Sequence, residues 1–391
     1  MPIAVSEDHE ELRRGVRRWT ERHCPSEVPR AHLDREDDGL PAVWSDLAAQ
    51  GWLGIHVPED LGGQGFGILE LAVVIEELGR ALVPGPFLPT ALAAAVLARG
   101  SDPTLAKAIV PGIVDGSTLA CLAVGSEAAG LPEAMVAGDG SITVSGEWPA
   151  VLGAGVASLF VVPVAEGVVP PSWCVVDLPT AGGPTPGVTV VRHRCLDLTR
   201  RSASVVLDAV RVPTDRILPG RNVNDARDLL FALAAAELAG SARWCLEVAT
   251  EHARTRVQFG RPVGQFQGVK HKLADLLSRV EQMTATAWDA ALALDGDDPV
   301  QAHLSSAAAG ALAAEGGVWA AKDAIQVLGG MGFTWEHDAH LHLRRAATLR
   351  QLLGGPGPLR ESVARQALAG SRRSLGVELP PEVADRVRRE L

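Results

Sequence analysis

NDARDLLFALAAAELAGSARWCLEVATEHARTRVQFGRPVGQFQGVKHKLADLLSRVEQMTATAWDAALAL, residues 224–294, is the stretch on which the architecture turns. It holds two long patterns of helical period, one running to RVQF and one continuing through KHKL. The pattern stays helical downstream. SSAAAGALAAEGGVWAAKDA (305–324) is rich in alanine, which suits closely packed helices, and the charged tail after Gly370 is expected to be loose.

Upstream the period changes from helical to alternating. LFVVPV (159–164), WCVVDL (173–178), VTVVR (188–192), ASVVLD (203–208) and VRVP (210–213) are short β-branched runs separated by Gly, Pro and Asp, and they predict a compact β domain. Before them the chain is helical again. Leu12, Val16 and Trp19 form one stripe, and Val43, Leu47 and Ala48 form another that Gly51 closes. Leu71, Val74, Ile75, Leu78 and Leu82 form a third, which leaves Glu70, Glu76, Glu77 and Arg80 mostly to solvent. The expected organisation is α+β and mostly α: a helical domain at 1–119, a β-barrel or sandwich at 120–221, and a four-helix bundle at 222–391.

Composition narrows the class. A chain of 391 residues that is 47% apolar can bury two or three cores, and a formal charge of -11 repels nucleic-acid phosphates and anionic lipid. The only lysines are Lys107, Lys270, Lys272 and Lys322, an arginine bias that fits genome composition and receives no functional weight. Five scattered cysteines without C-x-x-C spacing fit a reducing, cytoplasmic setting without a metal knot. MPIAVSEDHEELRRG lacks an apolar signal core, and DLLFALAAAELAG (228–240) carries Glu237 and falls short of a membrane span.

Four segments together resemble the acyl-CoA dehydrogenase family. GWLGIHVPEDLGGQGFGILELAVVIEELGRAL (51–82) is similar to its N-terminal motif; Gly62, Gly63, Gly65 and Gly67 form a tight loop before a helix, because no βαβ unit surrounds them. LDLTRRSASVVLDAVRVPTDRIL (196–218) resembles the strands that close its β domain. RVQFGRPVGQFQGVKHKLADL (256–276) resembles the R-x-x-F-G signature, and QVLGGMGFTWEHDAHLHLRRA (326–346) its Q-x-x-G-G-x-G loop. The resemblance implies FAD at a subunit interface. Arg256 would meet the pyrophosphate held mainly by the adjoining subunit, Phe259 would pack near the cofactor and Gln267 would hydrogen-bond it. Gln326, Gly329 and Gly330 would receive the adenosine-diphosphate end. His337, Asp338, His340 and His342 suggest a metal, but no further ligand set is evident and the family has none there.

The sequence departs from the family where the family's reaction needs a carboxylate base. Leu353 stands where the family's glutamate is expected, no carboxylate lies between Asp338 and Glu361, and LLGGPGP is a poor helix start for holding one. The alternative base position of some relatives falls on Leu230. Glu237, two turns further along that face, is the remaining candidate, with a buried structural pair to an arginine as the other reading. AVGSEAAGLPE (123–133), with Ser126 and Glu127, only faintly resembles the family's flavin-facing strand. Ala150, Val151 and Leu152 replace a W-I-T-like triplet and supply neither an aromatic wall nor a hydroxyl.

Groups that would serve the chain's own flavin are lost, whereas groups that would reach a neighbour's are kept. The resemblance therefore extends to a degenerate subunit of a heteromeric acyl-CoA dehydrogenase. Its expected partners are an acyl-CoA thioester, a homologous base-bearing subunit and, as acceptor, an electron-transfer flavoprotein. GFTWEHDAHLHLRRA adds a similarity to subunits handling steroid-like thioesters. The alternatives are a homo-oligomer using Glu237 and a non-redox binding or biosynthetic protein on the same fold.

Overall fold

The computed structural model describes residues 6–33, 35, 39–100, 103–124, 133–136, 139–164, 172–180, 183–219 and 223–374. Ser126, Glu127 and the tail beyond 374 lie outside them. The N-terminal part contains α1 (Glu7–His23), α2 (Ile68–Arg80), α3 (Phe87–Ala98) and α4 (Pro103–Val114), with short helical turns at Glu27–Ala31 and Trp44–Ala48. Ser6 caps α1, with Val16 and Trp19 on its buried side. Gly51 ends the Trp44–Ala48 segment in the left-handed region, at φ 72°.

α2 is the central helix of this part and is covered on every side. Glu76 and Glu77 are only 3% and 1% exposed, which corrects the expectation that they face solvent. A neighbour satisfies each carboxylate. Arg17 from α1 grips Glu77 at 2.7 and 2.9 Å, and the Trp288 indole donates to Glu76 at 2.7 Å. A helical period marks an apolar stripe but cannot show that a second layer covers the polar one.

The middle part forms two four-stranded sheets from β1 (Ala120–Leu122), β2 (Glu133–Val136), β3 (Ile142–Leu152), β4 (Leu159–Val164), β5 (Ser172–Asp177), β6 (Val188–Arg192), β7 (Ser202–Val212) and β8 (Ile217–Pro219). One sheet runs β1-β4-β5-β8, with β1 parallel to β4, and the other runs β2-β3-β7-β6, antiparallel throughout. The two expected runs at 203–208 and 210–213 are one strand. Ala209, at φ 49°, forms a bulge opposite Ser145, whose hydroxyl accepts its N–H at 3.0 Å.

Next come α5 (Val223–Thr255), α6 (Gln267–Leu294), α7 (Pro299–Leu328), α8 (Ala339–Leu352) and α9 (Pro356–Leu368). LLGGPGP does start a helix. Gly354 and Gly355 take positive φ, and Pro356 occupies the first turn of α9, where a missing N–H costs nothing. α5 is long and apolar enough to cross a membrane, contrary to the sequence expectation, but 83% of its apolar window is buried within the protein.

Among the contacts that tie the helical parts together, two involve α2 directly, at its start and in its last turns. The C-terminal residue of α6's turn, Asp295, accepts the Ile68 and Leu69 N–H groups at 2.7 and 3.1 Å, so it caps α2 from another domain. Gly79 and Gly240 then let α2 and α5 cross backbone against backbone. A Cβ on Gly240 would lie 1.7 Å from the Glu76 carbonyl oxygen, and one on Gly79 would lie 2.4 Å from that of Glu237.

Candidate flavin face and interior cleft

Between α5 and α6 the chain makes a two-residue hairpin, in which Val257 pairs with Pro262 and Gln258 with Arg261. Phe259 and Gly260 form its tip at φ 52° and 76°, the paired positive values of a type I′ turn. Glycine accepts that conformation freely, whereas a bulky residue there costs on the order of 1–3 kcal/mol. Phe259 is nonetheless 90% exposed, with its ring edge-on to Phe266 at 6.0 Å between centroids.

The backbone beneath the tip is fixed. The Arg256 N–H donates to His252 at 2.9 Å and its carbonyl accepts from Val263 at 2.8 Å, while the side chain is exposed. Arg261 lies over the Phe266 ring at 4.2 Å. Gln267 opens α6 and is exposed, and its amide lies 3.5 Å from His271.

Gln326, Gly329 and Gly330, at the end of α7, are exposed as well. Gly329 holds φ 63° with ψ -137°, a region essentially closed to side chains, and a Cβ on either glycine would meet nothing within 4 Å. The space before them is open, so a planar or phosphorylated group can approach their backbone from outside. Lys272 bonds Asp323 at 2.6 Å, which ties the first turns of α6 to the end of α7 and brings the Gln267 and Gln326 segments to the same end of the bundle. Flexible donors, a guanidinium and bare glycine backbone form a chemically suitable set for a flavin diphosphate.

The following loop is fixed from another domain. Arg30 bonds Asp338 at 2.6 Å and donates to the Trp335 and Glu336 carbonyls at 2.9 and 2.7 Å. Phe333, 87% exposed, stands on this loop, while Trp335 stacks on His340 at 4.7 Å. His342 instead points inward, stacked on Trp244 at 4.0 Å and bonded to the Ser241 hydroxyl at 2.8 Å. Burial, with Arg345 and Arg80 nearby, holds its imidazole well below the ordinary histidine range.

Inside the protein, Glu237 does not stand alone. Arg200 donates to its Oε2 at 2.9 Å and also to Oε1, and Arg345 donates to Oε1. Arg345 also reaches Asp197 and, at 2.6 Å, the Thr199 hydroxyl, which itself bonds Asp197 at 2.6 Å. Burial alone would raise the Asp197 carboxyl, but Arg345 and Arg200 hold it below its ordinary value. Two carboxylates and two guanidiniums, all nearly inaccessible to solvent, thus neutralise one another where the β6–β7 loop, α5 and α8 meet. Sequence reasoning foresaw an arginine partner for Glu237 but named neither Arg200 nor Arg345. The signal was a carboxylate on an apolar stripe, which demands a cation, yet sequence separations of 37 and 108 residues hide which one.

Leu353 and Leu230, where the sequence resemblance led one to expect a base, are both 1% exposed. Val151 is buried and Ala150 exposed on β3. The adjoining crevice, lined by Gly153, Gly155, Val156, Thr199 and Arg200 among others, measures about 40 Å³. Ligand and cofactor sites usually offer roughly 300–1,000 Å³.

Comparison with known proteins adds ancestry. Residues 6–117 match the description "Acyl-CoA dehydrogenase, N-terminal domain" and residues 232–368 match "Acyl-CoA dehydrogenase, C-terminal domain". The chain is 39% identical to acyl-CoA dehydrogenase FadE34 of Mycobacterium tuberculosis over 89% of its own length but only 46% of that protein's, so it spans about half of that relative. It is 32% identical to acyl-CoA dehydrogenase IpdE2 of Mycolicibacterium smegmatis, covering 90% of this chain and 96% of that one. Among solved structures, the ChsE4-ChsE5 complex from Mycobacterium tuberculosis superposes with a TM-score of 0.86 at 28% identity, over 95% of this chain and all of the other.

Proposed function

The chain belongs to the acyl-CoA dehydrogenase family, and from that premise we propose that it completes the FAD site of a homologous, base-bearing partner that oxidises an acyl-CoA thioester at Cα–Cβ. The strained, solvent-facing Phe259 carries this reading. Strain retained in a side chain that stays 90% exposed, with only its edge toward Phe266, suits a residue whose partner lies on another subunit. Similarity to a chain of the ChsE4-ChsE5 complex supports a two-gene assembly.

FAD, when bound, accepts the β-hydride of the thioester. The roles of this chain are binding and orientation: Arg256 meets the diphosphate, Gln267 and Gln326 donate to the cofactor, and the Gly329–Gly330 backbone admits its adenosine end. The α-proton goes to the partner's carboxylate, because this chain has leucine at both base positions and its Glu237 oxygens are held by arginine. An electron-transfer flavoprotein fits as the acceptor.

The chain is to be purified alone and beside a co-expressed base-bearing relative, with flavin counted from visible absorption. Colourless protein alone, and a yellow complex that dehydrogenates an acyl-CoA, are expected. Stoichiometric FAD on the chain alone would overturn the reading.

A further inference from the structure

Three polar side chains on three helices meet in an order that flavin binding leaves unused. His303 on α7 stands between Asp228 on α5 and Ser362 on α9. Its Nδ1 lies 2.8 Å from Asp228 Oδ1, and its Nε2 lies 3.2 Å from the Ser362 hydroxyl. The two partners are 75 and 59 residues away from the histidine in sequence, so no local motif announces them. An ionised Asp228 has no proton to give, so Nδ1 carries the hydrogen and Nε2 turns its lone pair to the Ser362 O–H. Asp228 is only 4% exposed, and burial raises its carboxyl while the His303 hydrogen bond opposes the rise. His303 and Ser362 are half-buried. A buried acid thus orients an imidazole, which in turn faces a hydroxyl, the order that activates a serine nucleophile.

A cleft adjoins the three. It is lined by Asn224, Asp228, Val300, His303, Arg365 and Gln366 among others and measures about 500 Å³, within the roughly 300–1,000 Å³ of ligand sites. The Nε2 of Gln366 is buried and has no hydrogen-bond partner among the described residues. Gln366 follows Ser362 by four residues, so its amide and the serine hydroxyl share a face of α9. An amide donor without an acceptor, beside a nucleophile, suits the negative charge that develops on an acyl oxygen. His303 and Gln326 lie roughly 35 Å apart along α7, at opposite ends of that helix.

We propose that Ser362, His303 and Asp228 form a hydrolytic site for a short-chain acyl ester or thioester, with the Gln366 amide meeting the acyl oxygen. His303 Nε2 takes the hydroxyl proton as Ser362 Oγ bonds the acyl carbon. The bond from that carbon to the leaving oxygen or sulfur breaks, and His303 gives the proton to the departing alcohol or thiol. Water then attacks the acyl-serine ester, His303 takes its proton and passes it to Ser362 Oγ, and the carboxylic acid leaves. Ser362 is the nucleophile, His303 the base and Asp228 a positioning residue. The activity needs neither FAD nor a second subunit, so it stands or falls independently of flavin completion.

The test incubates the full chain with p-nitrophenyl butyrate and with butyryl-CoA, following nitrophenolate and free thiol. A fluorophosphonate is added separately, and its point of attachment is read by mass spectrometry. Hydrolysis of at least one probe and labelling at Ser362 are expected, the two acyl probes distinguishing an oxygen from a sulfur leaving group. Ser362→Ala keeps the helix, since alanine favours it, and should lower kcat/KM by at least about 10²-fold and abolish the label. Asp228→Asn should lower kcat with KM little changed, because it disturbs the imidazole tautomer and not binding. A Ser362→Ala chain that hydrolyses like the wild type, or a label on another residue, overturns the site. An Asp228→Asn chain with a lower melting temperature and wild-type kcat overturns the positioning role. A chain that hydrolyses neither probe and takes no label overturns the activity and leaves the three side chains as a tie between helices.

Discussion

Phe259 and Glu76 are both uncomfortable residues, but for different reasons. Phe259 is strained and exposed, so Phe259→Gly should stabilise the isolated chain by about 1 kcal/mol in urea titration by relieving the positive φ. The same change should loosen flavin in the partnered complex, seen as faster flavin release. A variant that gains stability without losing flavin would detach the strain from function. Glu76 is buried, and burial pushes its carboxyl up to about 7, with Arg13 and the Trp288 hydrogen bond opposing and Glu77 adding to the rise. A folded value raised above the unfolded one makes its contribution most favourable at acid pH and progressively lost as pH rises through about 7. Glu76→Gln keeps an acceptor for Trp288, so it should exceed wild-type stability at pH 8 by roughly 2–3 kcal/mol and lose that margin near pH 5. Parallel melts at the two pH values decide it; a constant difference would show that Glu76 does not titrate there. Sequence periodicity made neither state legible, because strain and second-layer burial are properties of coordinates.

At the scale of elements, the sequence was most readable where one period ran without interruption. α5 to α7 and strands β4 to β6 follow directly from their apolar patterns. β3 was missed, since Gly146 and Pro149 break its alternation, yet pairing with β7 carries it through eleven residues with two irregularities in register. The α2–α5 crossing was also hidden, because nothing local distinguishes Gly240 from any other helical glycine. Gly240→Ala should destabilise by at least about 3 kcal/mol, for its methyl meets backbone that cannot move aside. Gly15→Ala in α1, where a Cβ meets nothing within 4 Å, should instead stabilise by about 0.5–1 kcal/mol. Chemical denaturation of the pair separates steric exclusion from helix propensity, and equal effects would dismiss the close crossing.

Across the whole molecule, the buried Asp197–Arg345–Glu237–Arg200 cluster joins three parts of the chain, the β6–β7 loop, α5 and α8. Leu353 and Leu230 were legible in the sequence, but the partners of the buried carboxylate Glu237 were not. Removing one member leaves a buried charge without its partner, a change that typically costs about 3–5 kcal/mol. Arg345→Met should therefore lower the stability of the whole chain by that amount, with the helical and β regions losing protection together in hydrogen exchange. Glu237→Gln is the milder variant and separates structure from chemistry. If the cluster is architectural, the surviving Glu237→Gln complex should turn over at the wild-type rate per bound flavin, with an unchanged pH profile and a lower melting temperature. If Glu237 were a base as well, turnover would also fall by roughly 10²-fold or more. The melting temperature falls under either role, because Arg200 and Arg345 lose a carboxylate in both, so turnover per bound flavin and its pH profile assign this carboxylate.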